Sequence, residues 1–153
     1  MPVWNIAWDE IKKGDEIVDT LKQYGETLKE QTSGKLSYKI DFDINSTGGI
    51  RYMFNICIAD SYHNVRLVDV EYNMMNGNMS FTYFGNNSRQ DKSGSARPRK
   101  IGKCIERYMD KVVTKKETSG LIRLLLMHYD RIEQERKIEK DKQNQNKKNE
   151  NTV

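Results

Sequence analysis

The sequence predicts an α+β fold, a four-stranded antiparallel meander sheet covered on one face by an N-terminal helix and two C-terminal helices. Apolar residues recur at helical steps of three and four near both ends of the chain, and at steps of two between Lys35 and Phe84. Short turn signals separate the two-step runs and leave no room for the helical crossovers that parallel pairing requires.

The first helix is expected from Asp15 to about Gln31. Ile17, Leu21, Tyr24 and Leu28 fall on one side of it, with Glu16, Asp19, Lys22, Glu26 and Lys29 elsewhere. Trp4, Trp8 and Ile11 repeat at the same spacing but out of phase, so Gly14 is expected to break or kink the chain. Leu36, Tyr38, Ile40, Phe42 and Ile44 then alternate with Lys35, Ser37, Lys39, Asp41 and Asp43. Ile50, Tyr52, Phe54, Ile56 and Ile58 alternate with Arg51, Met53, Asn55, Cys57 and Ala59. Both runs predict strands whose tyrosines and phenylalanines share the core face. Val65 to Asn73 and Met79 to Phe84 predict two more, joined at Asn76-Gly77, the dipeptide of a tight type I′ hairpin.

Residues 85–98, GNNSRQDKSGSARP, hold no apolar side chain larger than Ala96 and are expected to form a mobile loop. Pro98 suits the start of a helix that buries Ile101, Ile105, Tyr108 and Val112. Thr114, with Glu117 three residues later, fits a capping box opening the last helix, which faces inward through Leu121, Leu125, His128 or Tyr129, and Ile132. Beyond Lys140 the only apolar residue is Val153. Residues 141–153 are therefore expected to be a disordered polar tail on a single domain of residues 1–140.

Composition removes several function classes. Charged residues make up 31% of the 153 and hydrophobic residues 36%, so the core must be built from thin apolar stripes. No run approaches the roughly 18 apolar residues of a membrane span. Asp9 and Glu10 interrupt the amino terminus before a signal sequence could form, and a cytoplasmic protein with no membrane partner is expected. Cys57 and Cys104 are too few for a disulfide framework or a four-ligand zinc site. His63 and His128 are the only histidines, one in a turn and one in an apolar helix. Asp41, Asp43 and Asn45 open with the spacing of a calcium loop, but Ser46 stands where glycine is needed and Tyr52 where the bidentate glutamate is needed. Thr47-Gly48-Gly49 leads into a strand, so no helix start follows to cradle phosphate. No catalytic residue, metal site or cofactor is expected, and the reading is a small non-catalytic binding protein.

The location of charge is the strongest functional signal. Residues 1–33 carry −3, residues 34–96 are neutral, and residues 97–153 carry +7, which together give the net +4. Residues 89–116 alone hold ten cations against three acids. On a helix, Lys100, Lys103, Arg107 and Lys111 lie within about 80° of one another at ~100° per residue, beside the apolar stripe. Arg97 and Arg99 cluster at the helix start. This segment is expected to contact a polyanion, most plausibly nucleic acid, through phosphates. The outward sheet positions Lys35, Ser37, Lys39, Asp41, Asp43, Arg51, Asn55, Ser80 and Thr82 offer mixed charge, and only Phe84 is aromatic, so the sheet is not a base-stacking platform.

The alternative is a protein-interaction module, an inhibitor or adaptor that binds a partner protein or a second copy. Its interface would be the apolar helix of residues 121–132, through Leu121, Ile122 and Leu125, or the Trp4 and Trp8 end.

Overall fold

Alternation of apolar and polar side chains produces the strands at the centre of the chain, and the two-step runs close them in sequence order. The computed structural model describes residues 3–6, 8–85 and 90–149, together with the backbone of residue 150. Helix α1 (Trp8–Gln31) precedes β1 (Leu36–Ile44), β2 (Gly49–Ile58), β3 (Asn64–Asn73), β4 (Met79–Tyr83) and β5 (Asp91–Ser95), and α2 (Ile101–Val113) and α3 (Lys116–Glu150) follow. The strands form one antiparallel sheet in the order β1-β2-β3-β4-β5. One face is covered by the three helices, and Ile17, Leu21, Phe54, Ile56, Val68, Val70, Phe81, Ile105 and Met109 meet in the core between the two layers.

The sheet has five strands rather than four. β5 lies within the stretch 85–98 that reads as a loop, and it carries no apolar side chain to set a period. Its backbone supplies the pairing instead, with Tyr83 opposite Asp91 and Met79 opposite Ser95. Residues 86–89 of that stretch lie outside the described residues.

Four further local expectations are corrected. Gly14 does not break α1, which runs through it; its missing side chain leaves room for the Tyr52 hydroxyl, which a Cβ would meet at 2.9 Å. The β3–β4 connection is not a two-residue turn. Asn73 N–H donates to the Asn78 carbonyl at 2.9 Å and Gly77 N–H to the Asn73 carbonyl at 2.7 Å. Gly77, at φ 74°, takes the left-handed conformation there and Asn76 does not. Thr114 does not open α3. Its hydroxyl lies 3.0 Å from the Lys111 carbonyl oxygen and 3.2 Å from that of Asp110, closing α2 instead. Residues 141–150 continue α3 as helix, because Lys, Gln and Glu are good helix formers and extension needs no new nucleus. Residues 151–153 of the expected tail lie outside the described residues.

Phe42 and Ile44 alternate in phase with the core yet remain 68% and 66% exposed. α1 crosses the sheet obliquely, which is the reason. Its carboxyl-terminal half presses Gly25 against the Tyr38 ring on β1, while at its other end Glu10 accepts a hydrogen bond from the Tyr72 hydroxyl on β3 at 2.8 Å. The outer end of β1 is left bare. Among the described residues, no helix is long and apolar enough to cross a membrane.

Candidate polyanion-binding ridge on α2

α2 is held on its two flanks by different chemistry. Below, Ile101, Ile105, Met109 and Val112 are buried, and the Tyr108 ring stacks on Phe81 with centroids 4.3 Å apart. Towards α1, the Glu16 carboxylate accepts the Gly102 N–H at 3.1 Å, so an acidic side chain from α1 satisfies the start of a helix whose own N-cap, Lys100, makes no side-chain bond. Near the other end the Tyr24 hydroxyl donates to Asp110 Oδ1 at 2.6 Å and lies 3.1 Å from the Glu106 carbonyl oxygen. Burial first, then the bond to Asp110, raises the Tyr24 pKa.

These two attachments fix the rotation of α2 and turn its third side to solvent. Lys103, Arg107 and Lys111 are exposed there, with Lys100 and Arg99 exposed at the helix start. Among the described residues, no carboxylate lies within ion-pair distance of Arg99, Lys100, Arg107 or Lys111. Lys103 pairs with Glu106 at 3.5 Å, a solvent-exposed i,i+3 contact of small energetic consequence.

The rest of the basic block disperses. Arg97 is exposed but commits its Nε–H to the Asn76 carbonyl at 2.7 Å, fastening the β3–β4 turn. Lys92 pairs with Thr82 on the open face of the sheet, away from α2. The Lys115 ammonium lies 5.1 Å from the Tyr83 ring centroid. Arg89 lies outside the described residues.

A cleft of ≈ 530 Å³ separates the ridge from α1, lined by Lys12, Asp15, Glu16 and Asp19 from α1 and by Lys100, Lys103 and Glu106 from the α2 side. Carboxylates of α1 thus stand close to the ridge on this side, with lysines among them.

The other candidate residues take different places. Trp4 and Trp8 are 88% and 64% exposed. Leu125 is core at 4% exposure, and Leu121 and Ile122 pack partly against that core; Leu124 and Met127 face outward on α3 instead. His63 and His128 line one cleft of ≈ 410 Å³ between the β2–β3 turn and α3, together with Val65, Leu124 and Ile132. Sequence spacing cannot reveal this pairing, because the two residues belong to distant elements. No group of three metal-binding side chains converges among the described residues. Cys57 is half-buried, and burial raises its thiol pKa, away from nucleophilic chemistry.

A polar network missing from the sequence reading occupies the open sheet face. Asp69 is buried and pairs with Arg66, whose guanidinium lies 4.6 Å from the Phe84 ring centroid; Arg51 Nε donates to Glu71 at 3.1 Å. These contacts engage Arg51 and Arg66; on the same face Lys39 pairs with Asp41, and Lys92 is exposed. Family models, characterised proteins and solved structures were all compared with the chain, and none matches it.

Proposed function

We propose that this protein binds a polyanion, in the first place the phosphate backbone of nucleic acid, through the solvent-facing side of α2. The observation that carries the reading is the run Lys100, Lys103, Arg107 and Lys111, exposed along one side of a helix whose other sides are fixed by core and by α1. Arg99 extends the run at the helix start. Arg97 belongs to the same segment, with its guanidinium partly occupied by the β3–β4 turn.

Neutralising phosphates releases condensed counterions, so affinity arises without base contacts and carries little sequence preference. The mixed charge and internal pairing of the open sheet face support a backbone contact rather than base stacking. In an electrophoretic shift assay at low salt, the wild-type chain is expected to retard nucleic acid. A Lys103→Glu/Arg107→Glu/Lys111→Glu variant is expected not to. Absence of a shift at low salt rejects the proposal.

A second reading, a protein-interaction module, is favoured by the exposure of Trp4 and Trp8 and of Leu124 and Met127. Its test is a partner captured by the wild-type chain and lost by Trp4→Ser/Trp8→Ser or Met127→Asp; capture unchanged in both variants counts against it.

A further inference from the structure

We infer that the free edge of β1 pairs antiparallel with the β1 edge of a second copy of this chain, joining two five-stranded sheets across a two-fold axis at Ile40. The inference is independent of the polyanion reading.

Hydrogen bonds at the two ends of β1 establish which backbone groups are available. Asn45 N–H donates to the Gly49 carbonyl at 2.9 Å and Ala59 N–H to the Lys35 carbonyl at 3.0 Å, so odd-numbered residues of β1 face β2. The N–H and C=O groups of Tyr38, Ile40, Phe42 and Ile44 then point outward. Those of Leu36 are occupied, since its N–H donates to Thr32 Oγ1 at 3.1 Å. A nine-residue edge with apolar side chains and unpaired backbone is an open template for another strand.

Charge selects both the occupant and the register. Lys39 and Asp41 lie on the same face and 3.4 Å apart, so an antiparallel copy centred on Ile40 sets each Lys39 opposite the other copy's Asp41. Four alternating charges result. A register centred on Asp41 or on Lys39 places like charges directly opposite each other, and one centred on Phe42 opposes Asp41 and Asp43. Of the registers centred on Lys39, Ile40, Asp41 and Phe42, only the one at Ile40 opposes no like charges.

Shape agrees with that alignment. The Ile40 axis sets the exposed Phe42 of each copy beside Tyr38 of the other, where the carboxyl-terminal half of α1 covers β1. The bare end of one strand thus meets the covered end of its mate.

The test is the mass in solution of the full chain, by sedimentation equilibrium across the micromolar range. Wild type is expected to be a concentration-dependent dimer. Lys39→Asp or Asp41→Lys alone is expected to weaken it about tenfold or more, the size of two reversed cross-strand pairs, and the double exchange Lys39→Asp/Asp41→Lys to restore it. Ile40→Pro removes an outward N–H without touching the β1–β2 ladder and is expected to give monomer. A wild-type monomer at every concentration overturns the inference. So does a dimer indifferent to the single reversals, or one that the double exchange fails to restore.

Discussion

Single side chains fasten α1 to the sheet, and Gly25 is the tightest of these points. A Cβ there would lie 2.3 Å from Tyr38 Cγ, close to the strand backbone, where the ring cannot swing aside because it stacks near Phe54 and its hydroxyl donates to Glu26 at 2.8 Å. Alanine improves helix propensity by about 1 kcal/mol, while overpacking costs roughly 1–3 kcal/mol. Gly25→Ala is therefore expected to lower the urea midpoint, by up to about 2 kcal/mol of stability. Tyrosines supply a second residue-level test. Burial, and next the nearby Asp91 charge, pushes Tyr108 up to about 12, and burial with the Asp110 bond raises Tyr24. Both folded values lie above the unfolded value of about 10, so stability is complete below that pH. It falls as pH rises, because the unfolded chain releases protons that the folded chain retains. Urea midpoints should drop between about pH 10 and pH 12, and Tyr108→Phe should flatten the drop. An unchanged slope in that variant would assign the effect to other groups.

Elements differ in how much of their placement the chain spells out locally. α3 is joined to the sheet by the buried contact of the Tyr83 and Thr118 hydroxyls, 2.7 Å apart. Tyr83→Phe is expected to cost about 1–2 kcal/mol by stranding the Thr118 hydroxyl, and adding Thr118→Val should recover part of that loss. A chain ending at Lys140 is expected to keep its thermal midpoint within about 2 °C while losing far-ultraviolet helical signal, since residues 141–149 are exposed. β1 to β4 are legible because each carries apolar residues in period two. The β3 pattern even marks its own irregularity: Val65 and Leu67 give way to Val68, Val70 and Tyr72, and the β2–β3 register shifts there, with Phe54 opposite Val68 and Asn55 opposite Arg66. β5 is silent because backbone alone places it. The continuity of α1 through Gly14 is hidden for a related reason, in that Tyr52 comes from a strand far along the chain.

At the scale of the whole molecule, charge is segregated rather than spread. The acidic residues 1–33 hold α1, the basic residues 97–153 hold α2 and α3, and the fold sets α1 and α2 side by side. Helical spacing made the ridge Lys100, Lys103, Arg107 and Lys111 readable in advance, since a regular helix fixes relative side-chain directions. The fate of Arg97, Lys92 and Lys115 was not readable, because their partners Asn76, Thr82 and Tyr83 belong to β-structure reached only after folding. The nearness of α1 carboxylates was equally hidden, because the fold alone brings Glu16 and Asp19 to the cleft beside α2. The most direct measurement is fluorescence anisotropy of a labelled nucleic acid titrated with the protein over a series of salt concentrations. With about four phosphates neutralised, log affinity should fall against log salt with a slope near −3 to −4, and Arg107→Glu should weaken binding and make that slope shallower. No binding at the lowest salt, or a slope and affinity unmoved by Arg107→Glu, would contradict the ridge as the binding surface.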